Sequence, residues 1–191
     1  MKLAVFASGN GSNFQALIDE ATIRPHIELV VCDRPEAYVV KRAEQHAIPV
    51  FTFSAKAFAN KAAYENAILH ELEKYAVDFV VLAGYMRLIG PTLLTKFLNR
   101  IINLHPSLLP KFPGKDAIQQ ALDAGERETG VTAHFVDEGM DTGPVIDQAR
   151  VLIKKEDGLE ELTAKIHQIE HHFYPNVVKQ LILKQGEGFE K

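Results

Sequence analysis

The chain has 191 residues, of which 47% are hydrophobic, and Cys32 is its single cysteine. This length and composition predict one domain with a sizeable core, and they exclude an internal disulfide or a multi-cysteine metal cluster. The formal net charge of -4 argues against general nucleic-acid binding, for which a basic surface is needed.

The sequence also argues against export and membrane insertion. Met1 and Lys2 lead directly into an apolar run typical of a core strand, so no signal peptide is predicted. No apolar stretch approaches the roughly 18 residues of a membrane-spanning helix. We therefore expect a cytoplasmic protein without nucleic-acid or membrane partners, either a monomer or a homodimer.

The first half of the chain alternates short apolar runs with amphipathic stretches. Apolar runs predict strands at residues 3–7, 27–32, 50–53, 79–83 and 101–104, and the continuous apolarity of the first predicts burial on both faces. Helical spacing fills the intervals, with Asn13 placed to cap the first helix and others predicted over 37–46, 54–75 and 91–97. Five strands alternating with four helices predict a doubly wound, mostly parallel α/β sheet.

After residue 114 this rhythm changes. A helix is predicted over 116–124, followed by two strands over 130–136 and 144–153 with no helix between them. Two such strands predict an antiparallel addition at one edge of the sheet. Residues 159–184 then predict one long C-terminal helix.

A glycine-rich loop, residues 8–13, joins the first predicted strand to the first helix. Backbone N–H groups at a helix N-terminus bind anions, and Gly9 and Gly11 would let a phosphate approach the backbone. A dinucleotide site is a second hypothesis because Asp33 ends the next strand, although Phe14 replaces the third glycine of that motif. An ordinary strand-to-helix turn is the third.

Asn103 and His105 stand at the end of the fifth predicted strand, two residues apart, so both side chains point to one face. Ligands of open α/β sheets bind outside the carboxyl ends of the strands, where the glycine-rich loop also lies. An amide and an imidazole there suit acyl transfer, because they stabilise an oxyanion and move a proton. The alternative is a capping Asn beside a surface His.

Asp141 lies in a loop, residues 137–144, that two glycines and a proline shape between the two late strands. A carboxylate beside His105 would favour the charged imidazole and orient the ring or a water molecule. The alternative is a solvated acidic turn. His134, on the strand before this loop, is either a supporting residue of the same group or a hydrogen-bonded core histidine.

The final helix carries a further carboxylate and several histidines. Glu170 precedes an apolar, proline-marked part of the helix, and its carboxylate would suit a substrate amine. His167 and His171 are spaced i, i+4, but the chain lacks H-E-x-x-H and a convincing third ligand. No metal site is therefore predicted.

Four motifs occur in order along the chain: S-G-N-G-S-N at 8–13, L-A-G-Y-M-R at 82–87, N-L-H-P-S-L-L-P at 103–110 and D-T-G-P at 141–144. Over essentially its whole length the chain closely resembles the phosphoribosylglycinamide formyltransferase family. The resemblance implies a Rossmann-like formyltransferase fold in one domain, 1–191. It implies that residues 1–100 bind the ribonucleotide phosphate, and that residues 101–191 carry catalysis and folate binding.

The resemblance also implies an activity and a set of site residues. The family transfers the formyl group of 10-formyltetrahydrofolate, its co-substrate, to the amine of glycinamide ribonucleotide in purine biosynthesis, without a metal. By resemblance, the catalytic residues are Asn103, His105 as proton donor, and Asp141, which keeps the histidine competent. The residues implied to bind the ribonucleotide are Gly11, Ser12 and Asn13 at its phosphate, and Glu170 and His167 at its glycinamide end.

The folate pocket implied by the resemblance draws on several segments of the chain. Lys61 stands where family members carry an Arg that meets the folate tail, so the charge is kept but the bidentate geometry is lost. His167 likewise stands where a Gln is expected. The remaining residues implied to bind folate are Met86, Arg87, Leu88, Ile89, Asn103, Asp137, Glu138, Gly139, Met140 and Asp141.

Three other functions remain open at this point. Formyltetrahydrofolate deformylases share the catalytic set but usually carry an extra N-terminal domain. Methionyl-tRNA formyltransferases share the Asn-x-His loop but have a longer chain with a basic C-terminal domain. A non-catalytic nucleotide-binding module would keep the glycine-rich loop without needing the Asn, His and Asp together.

Overall fold

The computed structural model describes residues 1–186, which form one seven-stranded sheet with helices on both faces. The strands are β1 (Leu3–Ala7), β2 (Ile27–Cys32), β3 (Val50–Thr52), β4 (Phe79–Leu82), β5 (Ile101–His105), β6 (Glu128–Phe135) and β7 (Val145–Leu152). The α-helices are α1 (Ser12–Asp19), α2 (Tyr38–Gln45), α3 (Lys61–Lys74), α4 (Pro91–Lys96), α5 (Ala117–Asp123) and α6 (Leu159–Gly186).

The strand order confirms the predicted doubly wound topology. The sheet runs β3-β2-β1-β4-β5-β6-β7, and its first five strands are parallel. Strands β6 and β7 are antiparallel and form the predicted addition beyond β5. The direction of winding reverses between β1 and β4, and the carboxyl ends of strands at such a point border a crevice in which ligands bind.

Burial on both faces explains why the central parallel strands β1 and β4 are continuously apolar. In β1, Leu3, Val5 and Ala7 face the core layer formed with α1, α2 and α6. Ala4 and Phe6 alternate with them and face the layer formed with α3 and α4. Since successive side chains of a strand point to opposite faces, a strand covered on both sides needs apolar residues at every position.

Two predicted helix starts are wrong, each for a local reason. The predicted helix over 54–75 is divided: a short 3-10 turn spans Ala55–Ala57, and α3 begins only at Lys61. Asn60 accepts a hydrogen bond from the Ala63 amide at 2.9 Å and so caps α3 there. At α1 the cap is Gly11, in the left-handed region, and not Asn13.

The longest helix, α6, has 28 residues with Pro175 inside it. It contributes Leu162, Ile166, Tyr174 and Val177 to the core under β5, β6 and β7. Within residues 1–186, neither α6 nor any other helix has the length and apolar character needed to cross a membrane.

Replacing Tyr174 by Phe is expected to lower the free energy of unfolding by about 1–3 kcal/mol. The Tyr174 hydroxyl is buried and donates a hydrogen bond to the carbonyl of Leu82 at 2.7 Å, which ties α6 to the centre of the sheet. Its loss leaves that buried carbonyl without its donor. Urea unfolding measures the change, with Tyr38→Phe as control because Tyr38 is exposed; equal effects of the two changes would contradict the prediction.

Candidate active site

A cavity of about 750 Å³ lies at the carboxyl ends of β4 and β5. Its walls come from residues 84–89 after β4, residues 103–106 at the end of β5, residues 114–119, and residues 139–141. Leu159 and Thr163 of α6 line one side, a contribution that residue spacing does not predict. The volume lies within the range of sites that enclose small-molecule ligands.

His105 is almost fully buried at the edge of this cavity, and its hydrogen bonds fix the ring. Its Nε2 lies 2.8 Å from the carbonyl oxygen of Phe112. Because a carbonyl oxygen only accepts, Nε2 carries a proton and donates it. The other nitrogen, Nδ1, lies 3.3 Å from Oδ2 of Asp141, so this nitrogen faces the carboxylate and is the one that can exchange a proton.

Asp141 is held in the left-handed region, with φ of 57°, which points its carboxylate at several donors. Oδ2 accepts a hydrogen bond from the backbone N–H of Gly114 at 2.8 Å, and Oδ1 lies 3.5 Å from Nε2 of His134. Burial acts to raise the pKa of Asp141, but the bonds from His134 and Gly114 and the charge of His105 outweigh it and hold that pKa below the usual 3.8. The carboxylate is therefore ionised at neutral pH.

The register between β5 and β6 brings Asn103 into the same group. Asn103 pairs with His134 across the two strands, and both side chains line the cavity. The Asn103 amide lies 3.3 Å from Nε2 of His134 and donates to Oδ1 of Asp141 at 3.4 Å. The structure thus brings together Asn103, His105 and Asp141, and adds His134, whose Nδ1 donates to the carbonyl of Phe135 at 2.8 Å.

The glycine-rich loop lies at the same end of the sheet and is held in one conformation. Gly11 has φ of 78°, and a Cβ there would lie 2.6 Å from the side chain of Val39, so only glycine fits. Arg42 donates to both the carbonyl and the side-chain oxygen of Asn10 at 2.9 Å. Beside the loop a second cavity of about 420 Å³ is lined by Ser12, Gln15, Ala16, Asp19, Arg42 and His171.

Glu170 is buried against the start of α1. Its Oε2 accepts a hydrogen bond from the Asn13 amide at 3.1 Å, and the Asn13 side-chain oxygen is buried without a partner in the part of the chain described. Burial raises the pKa of Glu170, against the opposing effects of the Asn13 hydrogen bond and the His167 charge. His167 itself is exposed. Among residues 1–186, no group of three or more His, Cys, Asp or Glu is placed to hold a metal ion.

The cavity contains most, but not all, of the residues implied to bind folate. Those lining it are Met86, Arg87, Leu88, Ile89, Asn103, Gly139, Met140 and Asp141. Lys61 lies outside its lining, 4.0 Å from Glu65. Asp137 and Glu138 also lie outside it; Asp137 accepts hydrogen bonds from Gly139 and Thr142 and so shapes the loop. The binding roles of all these residues stay predictions.

Asp33, the acid on which the dinucleotide hypothesis depended, already has a partner. Its Oδ2 accepts a hydrogen bond from Nε of Arg87 at 2.7 Å, and the Asp33 side chain is buried. The Arg87 guanidinium also lies over the ring of Tyr64, 5.8 Å from its centroid. Asp33 therefore acts on the cavity wall in this structure, since Arg87 belongs to that wall.

Sequence reasoning missed the buried polar residues that support the loop after β5. The Thr132 hydroxyl donates to the carbonyl of Ser107 at 2.7 Å and accepts from the amide of Leu109 at 3.1 Å. Gln148 of β7 donates to the Thr132 hydroxyl and to the carbonyl of Leu109, both at 2.9 Å. The available signal was a threonine within an apolar strand, where a hydroxyl needs partners.

Comparison with known proteins assigns the chain to a family. Residues 1–178 match the family model described as formyl transferase. A phosphoribosylglycinamide formyltransferase from Bacillus subtilis is 52% identical over 190 residues, which are 98% of this chain and 97% of the relative. The crystal structure of phosphoribosylglycinamide formyltransferase from Bacillus halodurans has a TM-score of 0.94 at 47% identity, covering 100% of both chains. The corresponding enzyme from Escherichia coli is 41% identical, over 93% of this chain and 85% of its own. The chain belongs to the formyl transferase family.

Proposed function

We propose that this chain transfers the formyl group of 10-formyltetrahydrofolate to the amine of glycinamide ribonucleotide, a step of purine biosynthesis. The observation that carries the proposal is the meeting of Asn103, His105 and Asp141 at one cavity large enough for a reduced folate. The glycine-rich loop beside it offers free N–H groups for the phosphate of the second substrate.

In this reaction the amine nitrogen attacks the formyl carbon, and the carbonyl oxygen gains negative charge as the new C–N bond forms. The Asn103 amide and the His105 ring donate to that oxygen, and each well-placed donor is worth about 3 kcal/mol of barrier. Collapse of the intermediate breaks the bond to N10 of the folate. The amine loses one proton and N10 gains one, so the protons balance without a covalent enzyme intermediate.

His105 is the residue that moves the proton, and its surroundings decide which nitrogen does so. Nε2 is occupied by the carbonyl of Phe112, which leaves Nδ1 for exchange with the substrates. The carboxylate of Asp141, 3.3 Å from Nδ1, orients the ring for this transfer.

The two substrates approach this group from different sides. Gly11, Ser12 and Asn13 hold the ribonucleotide phosphate at the start of α1, and Glu170 and His167 receive its glycinamide end. The folate lies along residues 86–89. Lys61 meets the folate tail, and Asp137 and Glu138 belong to the loop, residues 137–141, that lines the folate pocket.

Gly11→Ala is expected to raise KM for the ribonucleotide at least about tenfold, equivalent to about 1.4 kcal/mol of binding. The added Cβ would meet Val39 at 2.6 Å and displace the loop that holds the phosphate, while the folate side is untouched. Gly125→Ala is the matched control, because Gly125 also has positive φ but its Cβ would meet nothing within 4 Å. Initial-rate kinetics measure the ribonucleotide KM of both variants. An unchanged ribonucleotide KM in Gly11→Ala would show that the loop does not bind the phosphate.

The proposed function is tested by incubating the protein with 10-formyltetrahydrofolate, with and without glycinamide ribonucleotide. Formation of N-formylglycinamide ribonucleotide, dependent on the ribonucleotide, is the expected result. Release of formate without the ribonucleotide would instead identify a deformylase. If the folate is consumed under neither condition, the result would favour a non-catalytic nucleotide-binding module.

The same proposal includes the cellular location of the protein, its oligomeric state and the roles of the two halves of the chain. We expect a cytoplasmic enzyme that is a monomer or a homodimer. Residues 1–100 carry the phosphate site and residues 101–191 the catalytic group, with the folate between them, because residues 86–89 also line the cavity.

A further inference from the structure

One wall of the cavity, residues 84–90, is called here the pocket wall. Much of it is exposed: Met86 is 71% and Leu88 57% accessible to solvent. Only Ile89 and Gly90, at its far end, are buried. A segment with so little apolar packing needs other contacts to keep one conformation.

The near end and the middle of the pocket wall are held by buried polar side chains. The Ser8 amide donates to the carbonyl of Gly84 at 3.1 Å, and the Ser8 hydroxyl accepts from the amide of Met86 at 2.9 Å. In the middle, Arg87 donates to Asp33 at 2.7 Å. Ser8 and Asp33 are 1% and 5% exposed, so each of the two side-chain bonds has one end buried.

The far end is held by Glu65 of α3. The Glu65 side chain is 1% exposed, and its Oε1 accepts a hydrogen bond from the backbone N–H of Gly90 at 2.6 Å. A Cβ on Gly90 would lie 2.7 and 2.8 Å from the two carboxylate oxygens, so this contact depends on the glycine. Helix α4 begins at Pro91, so the carboxylate also sits at the positive end of that helix.

The Glu65 carboxylate is incompletely paired for a charged group at a buried position. Oε2 of Glu65 is buried and has no hydrogen-bond partner in residues 1–186, and the nearest cation, Lys61, is 4.0 Å away. Burial raises the pKa of Glu65, against the opposing effects of the Gly90 and Leu93 amides and of Lys61. An apolar residue would fill the same space without this penalty, but it would leave the buried N–H of Gly90 in the pocket wall without its acceptor.

We propose that Glu65 is a positioning residue, which fixes the folate-facing wall of the cavity through its hydrogen bond to Gly90. This inference rests on the proposed function, since the ligand whose binding it adjusts is the folate. Glu65 does not line the cavity, so it acts on the folate indirectly, through its hydrogen bond to Gly90 and not through its 4.0 Å ion pair with Lys61. Its removal should loosen the wall and weaken folate binding without changing the phosphate loop.

The kinetic test compares two substitutions of Glu65. Glu65→Met keeps the length of the side chain but removes the acceptor, and it is expected to raise KM for 10-formyltetrahydrofolate at least about fivefold with the ribonucleotide KM unchanged. Glu65→Gln keeps a carbonyl acceptor for Gly90 and should restore the folate KM to within about twofold of the parent. Equal changes in both KM values, or a Gln variant as impaired as the Met variant, would overturn the proposal.

A matched control and a second variant guard against general effects on folding. Glu73→Ala removes another contact between α3 and α4, the ion pair with Lys96 at 3.0 Å, which is exposed, and it should leave both KM values unchanged. Gly90→Ala keeps Glu65 but places a methyl group against its carboxylate, and it should reproduce the selective rise in folate KM.

Amide hydrogen exchange tests the anchor independently of activity. Residues 84–90 should exchange faster in Glu65→Met than in the parent or in Glu65→Gln, while residues 8–13 exchange at the parent rate. If the parent transfers no formyl group, the proposed function fails but the exchange result still decides whether Glu65 holds the wall. Parent-like protection of residues 84–90 in Glu65→Met would overturn the inference.

Discussion

Replacing His105 by Ala is expected to lower kcat at least about a hundredfold, the loss typical of a general acid–base residue. The change removes the ring whose Nδ1 lies 3.3 Å from Asp141 at the edge of the cavity, and it removes a donor to the developing oxyanion. KM for both substrates should change much less than kcat, because His105 contacts the reacting atoms and not the phosphate or the folate tail.

The control for this change is His70→Ala, which alters an exposed histidine on α3 and should leave kcat unchanged. Urea unfolding of the His105 variant shows whether the fold survives the loss of the bond to Phe112. A folded His105→Ala protein that turns over within about tenfold of the parent would exclude His105 as the proton-transfer residue.

The sequence predicts the sheet well because each parallel strand is a separate local signal. A strand buried on both faces must be apolar at consecutive positions, and the runs that begin at Leu3, Leu29 and Phe79 meet that requirement independently of one another. The helix predicted over 54–75 is too long because Asn60 caps α3, which begins only at Lys61. Helical periodicity does not reveal such a cap when apolar residues lie on both sides of it.

The sequence singles out Asp141 as a candidate site residue, but it does not predict which residues Asp141 contacts. Asp141 meets Asn103 across 38 residues and Gly114 across 27, and both contacts depend on how β6 pairs with β5. A shift of one residue in that register would turn His134 away from the cavity, because alternate residues face opposite sides of a sheet. The family resemblance supplied this grouping where residue spacing alone did not.

The burial of Glu65 can be predicted from its position in the helical pattern of α3. Glu65 lies three residues before Ile68 and seven before Leu72, both fully buried, so it falls on the buried stripe of α3. A carboxylate on such a stripe predicts a buried hydrogen-bond acceptor that needs a donor from another part of the chain. The donor, Gly90, lies 25 residues away, and only the packing of α3 against α4 reveals it.

Asp141→Asn is expected to lower kcat at least about a hundredfold, because it removes the negative charge beside His105. Asn is the matched substitution: it has the same shape, it tolerates the φ of 57°, and its oxygen can still accept from Gly114. Its amide, however, does not stabilise an imidazolium. The assay is formyl transfer under saturating substrates, and a kcat within about tenfold of the parent would exclude the charge as the cause.

The pH dependence of the free energy of unfolding of Asp141→Asn shows whether the variant loses stability through its missing charge or through altered packing. The folded protein holds the pKa of Asp141 below its ordinary value of 3.8, so the carboxylate stabilises the fold fully above that pH. This contribution disappears as the pH falls through the lowered pKa, where both folded and unfolded chains bind the proton. The unfolding free energy of Asp141→Asn should therefore fall short of the parent's at pH 7, and the deficit should shrink below pH 3.8. Urea unfolding across that range measures it; a deficit independent of pH would mean that packing, and not the charge network around His105, accounts for the loss.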